Sequence, residues 1–286
     1  MKFITQFLLL ITLLFTVTIA LTKGPKPPQA PDSNLMNVVT VSAEYGDYTS
    51  PVEAMNAIGE TSPGNRYLIV IGPGVYEVNT ALIMKEWVTI QGAGREATKI
   101  TGAVSHEYAN ETSAIVRGQN NAALTDLTIE NRGGGVFSIA IFNSGASPRI
   151  ERVTAVALGA EQYATGILNE ASSSPVMTDV SASASGASTT ENFGVYNVGG
   201  SSPTMVNVNA NATGAGYANP SVLIGNAAPF IVNSVLDGDP GLFITGESSG
   251  SRIVNNKIIG GVVNNTTDGN VCRGNYDDNL ADVACW

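Results

Sequence analysis

A repeat of about 26 residues organises the sequence between residues 122 and 260. A proline or a small residue marks each repeat, and steps of 26, 27, 28, 26 and 22 residues separate the successive markers Ala122, Pro148, Pro175, Pro203, Pro229 and Ser251. A period of this length is too short for a domain and is typical of one turn of a solenoid, which buries its apolar face against the neighbouring turns. The repeat therefore predicts a stack of similar coils.

Each repeat places the same kind of residue at the same offset from its marker. Two residues after the marker stands an unbroken apolar column of Leu124, Ile150, Met177, Met205, Ile231 and Ile253. Four residues after it stands a polar column, mostly of short side chains that hydrogen-bond their own turns, made of Asp126, Arg152, Asp179, Asn207, Asn233 and Asn255. A second strand in three of the repeats ends on an asparagine, at Asn143, Asn169 and Asn197.

Short β-rich runs alternate with Gly, Asn and Ser corners in these repeats, and no stretch between them has the period of a helix. Strands of a β-sandwich would not hold one residue type at one offset over five steps. Coils of a parallel β-helix would, because they stack in register about 4.8 Å apart. We therefore predict an all-β fold, a single-stranded right-handed parallel β-helix of about nine coils over residues 37–260.

The two ends of such a coil need covers, because they expose apolar core and unpaired strand edges. Residues 50–58 place Val52, Met55 and Ile58 on one helical face, which predicts a short N-terminal cap helix. We expect the tail, residues 261–286, to cover the other end. Its cysteines are the only two in the chain, and export would let them form a disulfide; two buried free thiols are the alternative. These cysteines are Cys272 and Cys285.

The N-terminus predicts export. Residues 7–20 form a 14-residue apolar run behind Lys2 and end on small residues that suit a signal peptidase, so we expect residues 1–20 to be a secretory signal peptide. An uncleaved anchor is the alternative, because the apolar stretch 4–21 has about the minimum length that spans a bilayer. Residues 21–36 are a proline-rich linker. The expected location is secreted or at the cell surface, with membrane contact only through an uncleaved N-terminal segment.

The composition limits the chemistry. The 286 residues carry 14 basic and 24 acidic side chains, a net charge of −10, which argues against a nucleic-acid partner because no basic stripe is present to pair with phosphates. One histidine and two cysteines exclude metal sites and catalytic triads that need two histidines or a cysteine–histidine cluster. No cofactor or metal is implied.

Three blocks near the N-terminus follow one another, VTVSAEYGDYTSPVEAMNAI (39–58), YLIVIGPGVYEV (67–78) and WVTIQGAGREATKITG (87–102). In this order and spacing they resemble the opening strand and cap helix, the Pro-Gly-x-Tyr segment and the first full coils of pectinesterases, within the pectin-lyase-like β-helix group. The resemblance covers about a quarter of the chain and implies the scaffold of that family. Val78 departs from it, because the family usually carries a glutamate two residues after the tyrosine.

The catalytic pattern of pectinesterases should follow on later coils, as a glutamine, a Gln-Asp pair, an Asp-Phe-x-Phe-Gly segment and an arginine ahead of Pro-Trp. The matching places look like residues 138–142, 158–162 and 191–195, which lack the glutamine, the aspartate and the key carboxylate, and no Arg-Pro-Trp exists. Ester hydrolysis on this scaffold needs one carboxylate as nucleophile and another as acid and base. We therefore assign no catalytic residue and expect no esterase activity.

A polysaccharide or cell-surface glycan is the partner that we expect. Aromatic side chains stack on sugar faces and amides supply hydrogen bonds, so the predicted ligand-binding residues are Phe142, Tyr196, Asn143, Asn169 and Asn197, with the charge-rich patch Glu130, Arg132 and Arg152. The structural alternatives are a buried asparagine ladder at a corner and surface ion pairs in the patch. The stack of Asp126, Arg152 and Asp179 is interpreted as a structural charge ladder.

The prediction for function is an exported, non-catalytic β-helix that binds polysaccharide or acts as a structural or adhesive surface rod. The alternative is a polysaccharide-modifying enzyme of pectin esterase, lyase or glycoside hydrolase type, with its carboxylates on the loops 104–113 or 159–163. His106, Glu107 and Glu111 are its first candidates, and an ordinary solvated loop is the structural alternative to them.

Overall fold

The computed structural model describes residues 36–187, 189–266 and 269–285. The predicted signal peptide and almost all of the predicted linker lie outside these residues. Within the described ranges, 24 strands wind into a solenoid of about nine turns, and every ladder between them is parallel. No helix in these ranges is long and apolar enough to cross a membrane. The predicted right-handed parallel β-helix is confirmed.

Three strand ladders form the three faces of the solenoid. Face A contains β1 (Met36–Val41), β2 (Arg66–Ile71), β5 (Val88–Gln91), β8 (Ala123–Asn131), β10 (Arg149–Leu158), β12 (Val176–Thr178), β15 (Thr204–Val206), β18 (Phe230–Val232), β21 (Arg252–Val254) and β24 (Val271–Arg273). Face B contains β3 (Gly74–Glu77), β6 (Thr98–Gly102), the C-terminal halves of β8 and β10, β13 (Ser181–Ser185), β16 (Asn209–Thr213), β19 (Val235–Asp237) and β22 (Lys257–Ile259).

Face C, which positions the candidate site, is a separate sheet of eight strands. It contains β4 (Leu82–Ile83), β7 (Ala114–Arg117), β9 (Phe137–Ser144), β11 (Tyr163–Glu170), β14 (Glu191–Val198), β17 (Val222–Gly225), β20 (Leu242–Thr245) and β23 (Val262–Asn264). The loop between β6 and β7 leads into the second strand of this sheet, β7, and includes a 3₁₀ turn, Glu111–Ser113.

The two sequence columns have simple structural causes. The apolar column lies in the core, with each member at most 1% exposed: Leu124, Ile150, Met177, Met205, Ile231 and Ile253. The polar column forms the corner between faces A and B, where every member has a left-handed backbone with φ between 49° and 59°: Asp126, Arg152, Asp179, Asn207, Asn233 and Asn255. Asn and Asp tolerate this conformation better than most residues, which explains their recurrence.

The predicted cap helix is present as α1 (Pro51–Ala57). Ser50 is its N-cap and accepts a hydrogen bond from the backbone N–H of Glu53, and proline at the first position suits the start of a helix. Met55 and Ile58 are buried, and the helix packs against β1, β2 and β4. Apolar core at the N-terminal end of the coil is therefore covered.

The coil continues past the boundary predicted at residue 260. The strands β23 and β24 extend the ladders of faces C and A as far as Arg273. Cys272 pairs in register with Ile253, so it takes the next place in the apolar core column, and it is bonded to Cys285 with a Cα–Cα distance of 5.9 Å. The predicted disulfide is present and ties the chain end to the last coil.

Candidate functional site on face C

Side chains alternate across face C. Ile141, Ile167 and Val195 stand in register on β9, β11 and β14 and belong to the main core. The next residue on each strand, Phe142, Leu168 or Tyr196, belongs to a separate apolar cluster that also includes Ala109 of the preceding loop. Successive side chains of a strand point to opposite sides, so these three side chains lie on the outer side of the sheet.

The asparagines that follow point back to the inner side. Asn143, Asn169 and Asn197 are fully buried, and their amides form a ladder in which Asn143 Nδ2 donates to Asn169 Oδ1 and Asn169 Nδ2 to Asn197 Oδ1, each at 2.9 Å. Buried amide groups are normally hydrogen-bonded, and these three asparagines bond to one another. The predicted ligand-binding role for them needs exposed side chains, so the structure corrects it in favour of the buried corner ladder.

The predicted charge-rich patch also lies elsewhere. Glu130 is on face B, where it bonds Lys99 at 2.8 Å and Thr101 at 3.0 Å, and Arg132 forms an ion pair with Glu77. Burial alone would raise the pKa of Glu130, but the hydrogen bonds from Lys99 and Thr101 outweigh it and the pKa is lowered. These charges are paired within the protein and do not share a face with Phe142 and Tyr196.

Two aromatic stacks lie on face C. The rings of Phe137 and Tyr163, in register on neighbouring coils, are 4.7 Å apart with an interplanar angle of 19°. The rings of Phe193 and Tyr196 are 4.5 Å apart at 22°. Phe193 and Phe142 are buried, whereas Phe137, Tyr163 and Tyr196 are half-buried. The half-buried rings give face C an accessible aromatic surface across β9, β11 and β14.

Carboxylates border these rings. Glu191 is in register with Tyr163, and burial raises the pKa of its carboxyl. Burial also raises the pKa of Tyr196, and the negative charges of Glu191 and Glu170, together with Tyr163, raise it further. The carboxylate of Glu191 has no hydrogen bond or ion pair among the described residues. Face C therefore combines aromatic rings with an unpaired, partly desolvated carboxylate.

A cavity of about 420 Å³ lies at the N-terminal end of this surface, beneath the loop before β7. It is lined by His106 and Glu111 from that loop and by Phe142, Ser144 and Glu170 from face C. The structure thus brings two of the three predicted loop candidates together with a carboxylate of the sheet. Glu107, the third, is exposed and does not line the cavity.

The polar groups of this cavity are already ordered. Glu111 forms a 2.8 Å ion pair with Arg117, and Glu170 accepts a 3.0 Å hydrogen bond from the Ser144 hydroxyl. His106 Nδ1 accepts from the backbone N–H of Tyr108 at 3.1 Å and lies 2.9 Å from the side-chain amide of Asn110.

Sequence reasoning did not find every residue of this surface. Phe137 was missed, although it stands 26 residues before Tyr163 and the repeat length places the two side by side. Tyr163, Glu170 and Glu191 recur around the second strand of the repeat, and this weak signal proves to mark the outer side of face C. Within the three described ranges, no group of three or more His, Cys, Asp or Glu side chains is placed to hold a metal ion.

No protein-family model and no curated protein sequence matches this chain. Solved structures do. Pectin methylesterase from Aspergillus niger matches with a TM-score of 0.59 over 90% of this chain and 89% of that chain, at 14% identity. Pectin methylesterase from carrot matches with a TM-score of 0.54 over 88% of this chain and 86% of that chain, at 17% identity.

ORF18 of Geobacillus virus E2 matches over 84% of this chain with a TM-score of 0.49 and 15% identity, and the chain spans 57% of that protein's length. The likeness to pectin methylesterases at these identities establishes the fold. The chain has a pectinesterase-like right-handed parallel β-helix, as its N-terminal blocks predict.

Proposed function

We propose that the protein is an exported, non-catalytic β-helix that binds a polysaccharide along the outer side of face C. The observation that supports this best is the pair of ring stacks, Phe137 with Tyr163 and Phe193 with Tyr196, on neighbouring coils of one sheet. Flat aromatic rings with a polar tip are suited to the apolar faces of sugar rings and to their hydroxyl groups. The fold likeness to pectin methylesterases adds a polysaccharide-related precedent.

The charge around the rings favours a neutral or esterified glycan at this surface. Glu170 and Glu191 flank Tyr196, and their charges already disfavour a further negative charge on its phenol. A polyanionic chain laid along the same rings would meet the same repulsion, in a protein whose net charge is −10. Neutral polysaccharides and methyl-esterified pectin avoid it.

Export is supported by the disulfide. Cys272 and Cys285 are bonded, and disulfides persist in oxidising compartments outside the cytosol. The apolar N-terminal run of the sequence supports the same conclusion, since it has the length and ending of a signal peptide.

A polysaccharide-modifying enzyme is the second candidate, and the cavity beneath the loop favours it. Glu111 and Glu170 line one space together with His106, and glycoside hydrolysis requires two carboxyl groups that face one substrate. In the same space, however, Arg117 neutralises Glu111. A general acid needs a raised pKa, and burial raises the pKa of Glu191, which does not line this cavity.

Binding assays with matched variants test the first proposal. The purified protein is titrated with neutral polysaccharides and with methyl-esterified pectin by calorimetry. We expect Tyr163→Ala and Tyr196→Ala each to weaken binding about 3- to 10-fold, the value of one stacking contact. Tyr45→Ala is the control, because Tyr45 is 90% exposed and lies outside face C. Equal binding by all three variants, or no binding to any glycan, would contradict the proposal.

Mass spectrometry of the same glycans, after incubation with the protein with and without calcium, tests the second candidate, a polysaccharide-modifying enzyme. Chain shortening, unsaturated ends or lost ester groups would establish an enzyme and overturn the non-catalytic assignment. Glu170→Gln and Glu111→Gln would then separate a role for the cavity from a role for other residues, since loss of a catalytic carboxylate costs at least about 100-fold in rate.

A further inference from the structure

A second cavity, of about 390 Å³, lies on face A and has the opposite charge to face C. Two arginines, Arg66 and Arg149, and the indole of Trp87 line it, and no carboxylate is among its lining residues. In a chain with 24 acidic and 14 basic residues, a cavity of this composition would favour an anion over a cation. We propose that it binds the anionic sugar residues of a polysaccharide, of the uronate type. This site is on a different face from the proposed glycan surface and does not depend on it.

Arg66 supplies an unused anion-binding group. Its Nε donates to the carbonyl of Pro63 at 3.0 Å, and its guanidinium carbon lies 5.2 Å from the centre of the Trp87 ring. Its two terminal nitrogens have no hydrogen bond to any of the residues that the structure describes. A planar guanidinium with free terminal N–H groups matches the two oxygens of a carboxylate.

Arg149 adds a second guanidinium group to the cavity. It pairs with Glu151 at 2.5 Å, yet its side chain remains 53% exposed. Glu151 also lies 3.6 Å from Arg152, whose own charge is paired with Asp126. Arg149 therefore offers exposed N–H groups to a ligand, while the positive charge of the cavity that is unpaired among the described residues comes from Arg66.

Trp87 is held at the cavity in an unusual backbone conformation. Its φ is +59°, in the left-handed region that bulky residues rarely adopt, and its carbonyl accepts a hydrogen bond from the backbone N–H of Tyr67 at 3.1 Å. Such strain is retained where the structure needs the side chain in that place, and functional sites are common among these places. Here it presents a half-buried indole, the largest flat ring available for a sugar, beside two cations.

The rest of the lining suits hydroxyl groups. Thr89, Asn121 and Ser147 contribute two hydroxyls and an amide, and the amide of Asn121 has no hydrogen bond within the described ranges. A stacking ring, two guanidinium groups and short neutral polar side chains together fit a ring that carries both hydroxyls and a carboxylate. A simple anion would leave the indole and the hydroxyl groups unused.

Face A offers a natural control. Arg252 lies 4.7 Å over the ring of Phe230, on the same ladder of strands, and neither residue lines the cavity. This pair reproduces the arginine-over-ring contact without the concave site. Binding that depends on Arg66 but not on Arg252 would therefore show that the ligand binds in the cavity and is not held by the positive charges of face A in general.

Fluorescence of Trp87 measures the proposed binding. The chain has two tryptophans, so Trp286→Phe leaves Trp87 as the single indole reporter. This protein is titrated with galacturonate trimer, with neutral galactose trimer and with acetate at equal ionic strength. We expect a saturable change with the uronate trimer alone. Arg66→Gln and Arg149→Gln should each weaken it about 10-fold or more, the value of a charged hydrogen bond.

The remaining variants decide the outcome. Arg252→Gln and Tyr45→Ala, which lie outside the cavity, should leave the affinity for the uronate trimer unchanged. Circular dichroism and thermal unfolding verify that each variant is folded. An equal response to acetate would overturn the sugar site, and an equal loss with Arg252→Gln would overturn its location. No response to the uronate trimer in the folded protein would overturn the proposal altogether, without bearing on the neutral-glycan surface of face C.

Discussion

Arg152 donates two hydrogen bonds to Asp126 on the neighbouring coil, from Nε to Oδ1 at 2.6 Å and from Nη2 to Oδ2 at 2.9 Å. Both residues occupy the corner between faces A and B, in the left-handed conformation that Asn and Asp usually fill in this column. An arginine in that conformation is unusual, and its two-point bond to Asp126 gives it a specific role there. Asp126 and Arg152 are thus a structural pair of the corner, while the Asp179 side chain accepts a hydrogen bond from Asn207 on the next coil.

The pairing predicts a definite acid response. The hydrogen bond from Arg152 lowers the pKa of Asp126 below its ordinary 3.8, with smaller contributions from Thr125 and from nearby positive charges. A lowered folded-state pKa stabilises the fold above the unfolded value, and this contribution is lost as the pH falls through the lowered pKa. Asp126→Asn should therefore be less stable than wild type at neutral pH, with a difference that shrinks below about pH 4.

Urea unfolding at several pH values measures this difference. Glu60→Gln, at an exposed position with no side-chain partner among the described residues, is the matched control and should follow wild type. A constant gap between Asp126→Asn and wild type from pH 7 to pH 2 would show that the charge of Asp126 is not involved.

The asparagine ladder makes a larger contribution. Asn169 bridges Asn143 and Asn197, so Asn169→Ala removes two hydrogen bonds and leaves two buried polar atoms without partners. We expect a loss of about 2–5 kcal/mol in the free energy of unfolding. Asn143→Ala should cost less, because Asn143 Oδ1 has no partner in the structure and only one bond is lost. Denaturant unfolding of both variants checks the order, and equal losses would contradict the ladder account.

The sequence predicts the coil because one period governs both of its columns. Leu124 and its equivalents must face the core, and Asp126 and its equivalents must turn a corner, so each column keeps its chemistry from coil to coil. The end of the coil was harder to predict, because the last coil is shorter. Cys272 replaces the core isoleucine and Gly274, at φ 64°, replaces the corner asparagine, only 19 residues after Ile253 and Asn255.

The surface of face C could not be predicted from hydropathy. Ile141 faces the core and Phe142 faces outward, yet both are apolar and buried, because the preceding loop packs over the outer side at this end. Alternation therefore carries no polarity signal there. The cavity of Arg66 and Trp87 gave no signal either, since these two residues lie before the regular repeat and meet its first coils only in the folded chain.

The disulfide should matter for the last coil. It closes a loop with a sequence separation of 13 residues, and a loop of this size contributes about 3 kcal/mol by restricting the unfolded chain. The double variant Cys272→Ala with Cys285→Ala should lose about that much stability. Thermal unfolding with and without reductant checks it: reductant should destabilise wild type and leave the double variant unchanged. A reductant effect on both proteins would point to another cause.

Glu191 provides a test of the electrostatics of face C. Burial raises the pKa of its carboxyl, so the folded state favours the protonated form and the ionised form opposes folding at neutral pH. Glu191→Gln should therefore be more stable than wild type near pH 7, and the gain should disappear as the pH falls through the raised pKa to the unfolded value. The same change should lower the pKa of Tyr196, because the charge of Glu191 helps to raise it. Thermal unfolding against pH follows the first effect, and an NMR titration of the Tyr196 ring follows the second.

Glu170→Gln is the comparison, since the charge of Glu170 also raises the Tyr196 pKa while its carboxylate accepts a hydrogen bond from Ser144. If neither substitution moves the Tyr196 titration, the two carboxylates do not shape the potential at these rings, and the expected preference of face C for neutral glycans loses its electrostatic basis.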